Sequence, residues 1–178
     1  MVLKSTQCQL RAWRAGDEEA LAQQANNRKI WRNMGAGFPH PYMLADAQGW
    51  IAHCAAQPDA PHFAVVVNGE LAGGAGYVRL QGELCHTAAA GYWLGEPFWG
   101  RGIATDALRR LVMHVFQSTD IHRLEAGVYA WNPASARVLE KAGFTFEARL
   151  RKRVFKDGQH VDVLMYALLR DEAPTYNW

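Results

Sequence analysis

Residues 88–116 read as a strand, a glycine-rich turn and a long amphipathic helix in direct succession, and this run constrains the fold more than any other part of the chain. The helix, residues 103–116, carries apolar side chains at Ala104, Leu108, Leu111, Val112 and Val115. That spacing draws one stripe along a 3.6-residue helix, so the helix must lie against a sheet. All-α and all-β architectures are thereby excluded. The turn before it, Gly95-Glu96-Pro97-Phe98-Trp99-Gly100-Arg101-Gly102, lets several backbone N–H groups converge just where the helix terminus adds about half a positive charge. It reads as a diphosphate cradle of neither familiar nucleotide type or, taken alone, as a tight turn before a helix. The third glycine of a dinucleotide fingerprint is replaced by Thr105, and no Gly-Lys-Ser/Thr follows as a P-loop requires.

The remaining elements follow from alternation and turn chemistry. Residues 3–14 contain the alternating strand Cys8-Gln9-Leu10-Arg11-Ala12-Trp13, and Gly16-Asp17 then provides a turn and an N-cap for a helix burying Leu21, Ala22 and Ala25. Residues 35–42, with two prolines and two glycines, form an aromatic loop. A second helix with Ala47, Trp50, Ile51 and Cys54 on one face stops before the Pro58-Asp59-Ala60-Pro61 break. Strands 62–67 and 71–80 flank Asn68-Gly69, the dipeptide suited to a type I′ hairpin, and strands 147–155 and 160–169 flank Asp157-Gly158. Between the hairpins, residues 123–129 form a strand, and Asn132-Pro133 caps a short helix closed by Gly143. The order β-α-α-β-β-β-α-β-α-β-β predicts a single α/β domain over residues 1–178. Its sheet is mixed but mostly antiparallel, with about six to seven strands and about four helices on its faces.

Charge and cysteine usage narrow the partners. Nineteen basic against 17 acidic residues leave a formal charge of +2, too small for a nucleic-acid footprint, so direct nucleic-acid binding is not expected. No apolar run nears the roughly 20 residues of a membrane span, and the first ten residues lack a signal-peptide core. A cytoplasmic protein without membrane partners is expected. Three cysteines, Cys8, Cys54 and Cys85, fit neither a disulfide framework nor a metal site, and the seven histidines are scattered. No metal cofactor is expected.

Trp99-Gly100-Arg101-Gly102-Ile103-Ala104 resembles the acetyl-CoA loop of the GCN5-related N-acetyltransferase (GNAT) superfamily. Asn132-Pro133-Ala134-Ser135, followed by Glu140-Lys141-Ala142-Gly143-Phe144, is similar to that superfamily's second cofactor-contacting segment. Gly91-Tyr92-Trp93-Leu94 and the closing hairpin resemble its RimJ/RimL-like branch of ribosomal-protein N-terminal acetyltransferases. The resemblance implies a GNAT fold and acetyl-CoA as co-substrate. Trp93 and Leu94 would pair with the pantetheine arm, the stretch Gly100, Arg101, Gly102, Ile103, Ala104 and Thr105 would hold the diphosphate, and Asn132 and Ser135 would reach the pantetheine and sulfur. Trp99 occupies the first place of the loop.

Transfer requires a neutral amine and a proton for the departing thiolate. Holding a lysine amine neutral at pH 7 costs roughly 4.6 kcal/mol, whereas an α-amine of pKa near 8 costs about 1 to 1.5 kcal/mol. A protein or peptide N-terminal α-amine is therefore the expected acceptor, ahead of a small-molecule amine such as an amino acid, polyamine or antibiotic. The helix tyrosine that many relatives use as acid is absent from Val138-Leu139-Glu140, which leaves Ser135 as donor. The relatives' carboxylate positions fall on Val154 and Ala89, so Asp162, with Glu83 and His86 behind it, is the candidate base. Trp31, Phe38 and Tyr42 of the stretch Trp31 to Tyr42, with Tyr129 beside Trp131, are candidates for the acceptor wall, the alternative for the first three being to seal the first helix onto the sheet. A catalytically weak acyl-CoA-binding regulator is the alternative reading. A monomer or homodimer is expected.

Overall fold

The computed structural model describes residues 2–57 and 61–176; the break expected at residues 58–60, Asp59 included, lies outside them. The first expected strand is in fact two, β1 (Val2–Lys4) and β2 (Gln9–Ala12), paired antiparallel with Leu3 opposite Leu10. Three short helices follow: α1 (Glu18–Ala25), α2 (Arg28–Trp31) and α3 (Leu44–Ala55). Asp17 sits at the N-cap of α1 but its carboxylate grips Arg11 in a two-pronged ion pair, both bonds 2.7 Å, rather than capping the helix. The unforeseen α2 is started by Asn27, whose side chain accepts from the Lys29 N–H at 2.8 Å.

β3 (His62–Val67) and β4 (Glu70–Arg79) turn at Asn68 and Gly69, both at positive φ as the type I′ reading requires. β5 (Thr87–Leu94) leads through the glycine turn into α4 (Ile103–Ser118), and β6 (Arg123–Tyr129) precedes α5 (Pro133–Lys141). β7 (Thr145–Lys156) and β8 (Gln159–Leu169) close the chain around Asp157-Gly158. The result is one eight-stranded sheet in the order β1-β2-β3-β4-β5-β6-β8-β7 with five α-helices among the described residues. β1 and α2 account for the excess over the sequence expectation.

Alternation along the central strands sorts side chains onto two faces. Phe63, Val65 and Val67 join Leu108, Leu111, Val112 and Val115 of α4 in the larger core. Ala64 and Val66 face the other way, into a smaller core with Trp13, Leu21, Ile51 and Cys54 under α1 and α3. Both faces are covered, which explains the unbroken apolar run of β3. At roughly 1.5–3 kcal/mol for each large apolar side chain buried, the α4 stripe is a principal stabiliser of the larger core.

β5 and β6 are the only parallel neighbours among the described strands, and they pair for just three residues, Thr87–Ala89 against Arg123–Glu125. Beyond Ala89 the two strands diverge. This fork positions the site.

No described helix is long and apolar enough to cross a membrane.

Candidate active site

Hydrogen-bond parity determines what the fork offers. Gly95 N–H donates to Ala72 and Leu80 N–H donates to Thr87, so the odd residues of β5 turn their main-chain groups toward β4. The even ones, Tyr92 and Leu94, turn theirs into the fork. On β6, Ala130 N–H donates to Asp162 and Arg170 N–H donates to His122, which commits the even positions to β8 and aims Gly127 and Tyr129 at the fork. Two of these groups are already taken. The Leu94 carbonyl accepts from the Trp99 indole at 2.7 Å, and the Tyr129 carbonyl accepts from Asn132 N–H at 2.8 Å. The N–H groups of Tyr92, Leu94, Gly127 and Tyr129 remain, with the carbonyls of Tyr92 and Gly127. Trp93, expected to bind through its main chain, directs those groups to β4, and its neighbour Tyr92 is the residue whose main chain faces the fork.

The fork opens into a cleft of about 550 Å³. At one end stands the cradle, with Gly100 at φ 72° and Gly102 at φ 80° directly before α4. Positive φ at both places is what lets consecutive N–H groups turn the same way. A side chain on Gly102 would come within 3.1 Å of the Gln7 amide. Gln7 is fixed there because Asp106, buried in the first turn of α4, accepts from Gln7 N–H at 2.8 Å and from the Ser5 hydroxyl at 2.5 Å. Trp99, Ile103, Ala104 and Thr105 line the cleft with the glycines. Arg101 does not; its guanidinium lies 5.8 Å from the Phe98 ring centre.

Asn132 and Ser135 line the opposite wall. Asn132 caps α5, accepting from Ser135 N–H at 3.3 Å. The Ser135 hydroxyl lies 2.8 Å from the Tyr92 phenol oxygen, across the fork from β5. Burial pushes the Tyr92 phenol up to about 12, against a smaller lowering by the Ser135 bond.

The acceptor end differs from the sequence expectation. Tyr129 lines it, but the other lining residues come from α2 and the turn after it: Lys29, Ile30, Asn33, Met34 and Gly35. Phe38 packs edge-on against Trp93 at 5.5 Å and beside Tyr42 at 5.1 Å, and Tyr42 is buried, so both belong to the smaller core. Trp31 stacks on His40 and carries the Lys156 ammonium 4.0 Å over its ring. Trp131 fixes the α2 turn by donating its indole proton to Asn33 at 2.9 Å while Arg32 lies over its ring.

Asp162 is not brought to the cleft. Its carboxylate accepts from Lys152 N–H at 2.7 Å and Arg149 Nε at 2.6 Å, and these two bonds hold it below the usual carboxylate range. Val154 pairs with Val161 on the outer hairpin. His86 and Glu83 precede β5 at its paired end, roughly 25 Å of strand away from Leu94. Among the described lining residues the charged side chains are Lys29, Arg137 and Lys141, with no carboxylate.

The comparisons with known proteins settle the family. Residues 8–145 match the acetyltransferase (GNAT) domain model. The chain belongs to the GNAT acetyltransferase family. The Bacillus subtilis probable N-acetyltransferase YjcK is 42 % identical over 93 residues, 52 % of this chain and 51 % of that protein. The Escherichia coli ribosomal-protein-serine acetyltransferase is 34 % identical over 112 residues, 63 % of this chain and 62 % of the relative. Matches to the first curated relatives thus span about half of their length. Among solved structures, Mycobacterium smegmatis RimJ in complex with CoA-disulfide superposes with a TM-score of 0.84 at 25 % identity, covering 98 % of this chain and 90 % of that one.

Proposed function

We propose that the protein transfers the acetyl group of acetyl-CoA to a primary amine, specifically a protein or peptide N-terminal α-amine. The observation that carries this reading is the row of unpaired main-chain N–H groups of Tyr92, Leu94, Gly127 and Tyr129 continuing directly into the glycine cradle. A pantetheine arm presents amides at a spacing a strand edge can meet, and a diphosphate is the anion that converging N–H groups hold. The Leu94 N–H steadies the oxyanion that forms when the amine attacks the thioester. Ser135 supplies the proton to the leaving sulfur.

The lining chemistry favours an α-amine. A polyamine or lysine acceptor enters as a strong cation, and among the described residues no carboxylate lines the cleft to neutralise it; the lining Lys29 is itself paired with Glu96. An α-amine reaches its neutral form at a cost of only about 1 to 1.5 kcal/mol, so positioning between Tyr129, Asn33 and Met34 suffices without a strong base.

Release of CoA thiol in the presence of acetyl-CoA, measured across a panel of N-terminal peptides, amino acids and polyamines, tests the proposal. Turnover is expected with the peptides. Saturable acetyl-CoA binding without turnover on any amine would support an acyl-CoA-binding regulator instead.

A further inference from the structure

The sequence assigns Tyr92 no site role, yet its phenol is the group hydrogen-bonded to Ser135. The phenol oxygen lies 2.8 Å from Ser135 Oγ and 3.1 Å from the Ser135 carbonyl. The side chain starts on β5 and ends at the first turn of α5, so it crosses the floor of the fork. Both residues line the cleft. A serine hydroxyl alone is a poor acid, because giving up its proton would leave an alkoxide; it becomes competent only when a second donor refills it in the same event.

We propose that Tyr92 is the proton source behind Ser135: as the thioester collapses, the Ser135 proton passes to the CoA sulfur and the Tyr92 phenol proton passes to Ser135 Oγ. This rests on the acetyl-transfer reading above. The amine nitrogen bonds to the acetyl carbon, the carbon–sulfur bond breaks, and its electron pair leaves on sulfur. Sulfur receives the Ser135 proton, Ser135 receives that of Tyr92, and the resulting phenolate takes up the proton that the nitrogen sheds on becoming an amide. The net change is acetyl from sulfur to nitrogen and one proton from nitrogen to sulfur, with no further reagent. Tyr92 acts through Ser135 and is a positioning residue in this scheme. Burial raises the resting phenol to about 12, so Tyr92 is protonated before attack and does not first make the amine neutral; only the phenolate left by the relay takes up the proton that the nitrogen sheds.

The experiment compares the wild type, Tyr92→Phe, Ser135→Ala and the double variant. Acetyl-CoA binding is measured by calorimetry, and kcat and KM by CoA thiol release with a hexapeptide bearing a free N-terminal serine. Tyr92→Phe keeps the ring, and is expected to lower kcat about 10- to 100-fold while leaving acetyl-CoA affinity within about threefold. In the double variant, removing the phenol on top of Ser135→Ala should add no further loss, because the relay is already cut. A full multiplicative loss in the double variant, or an unchanged kcat in Tyr92→Phe, would overturn the relay. A loss of acetyl-CoA affinity that accounts for the whole effect would likewise overturn it, assigning Tyr92 to a brace across the fork. If the wild type neither binds acetyl-CoA nor releases CoA, the acetyl-transfer reading fails first and takes this one with it.

Discussion

The indole N–H of Trp99 donates to the main-chain carbonyl of Leu94 at 2.7 Å, tying the glycine turn back onto the end of the strand that precedes it. The bond removes the Leu94 carbonyl from the fork and leaves its N–H exposed there. It also fixes the distance between the strand edge and the cradle, two parts that a single extended ligand must engage together.

Trp99→Phe keeps an aromatic ring and removes only this donor. The net worth of such a bond is about 0.5–1.5 kcal/mol, so acetyl-CoA should bind about 3- to 10-fold more weakly by calorimetry. Unchanged affinity would show that the turn holds its shape without the bond.

Gly102→Val should be more severe. A β-branched residue at φ 80° is strained by about 1–2 kcal/mol, and its side chain would press on Gln7. Acetyl-CoA affinity should fall at least tenfold, because the N–H groups of the cradle must re-aim, while circular dichroism shows the fold retained. Wild-type affinity in a folded variant would separate the cradle from cofactor binding.

Asp106 links the start of the chain to the same cradle. Asp106→Ala strips the acceptor from Ser5 and from Gln7 N–H and should cost about 2–4 kcal/mol in urea unfolding. Asp106→Asn retains one acceptor oxygen and should cost less. Equal costs for the two variants would show that the carboxylate charge, rather than its acceptor geometry, holds the turn.

His62 and His114 are both held below 6.5, chiefly by burial, with His53 and Arg110 adding repulsion respectively. Each therefore binds fewer protons folded than unfolded. Folding stability contributed this way is full above the unfolded value of 6.5 and declines as pH falls below it. Urea unfolding between pH 7.5 and pH 5 should show that decline, and His62→Gln with His114→Gln should flatten it. A flat wild-type profile would contradict the assignment.

Much of this architecture was legible because its signals are local. Asn68-Gly69, Asp157-Gly158, the α4 stripe and the Asn132-Pro133 cap each state their structure within a few residues. The division of residues 3–14 into β1 and β2 is less legible: the turn has a local part, Ser5 N–H and hydroxyl donating to the Cys8 carbonyl, but it is also anchored by Asp106, about a hundred residues away. Trp93 turns its main-chain groups to β4 and Tyr92 to the fork, a distinction that depends on register with β4, which no single strand reveals. Phe38 and Tyr42 seal the smaller core, and the sequence does not distinguish that from a ligand wall because aromatic loops read alike in either role. Tyr92 carries only a weak cue, its place in the Gly91-Tyr92-Trp93-Leu94 segment just before the glycine turn, and the α2 residues carry none.

A crystal structure with acetyl-CoA tests the central claim most directly. The account predicts the diphosphate on the N–H groups of Gly100 to Thr105 and the pantetheine amides paired with Tyr92 and Leu94 of one strand, its thioester sulfur within reach of Ser135. Acetyl-CoA bound with the fork vacant, or paired through Trp93 instead, would contradict it.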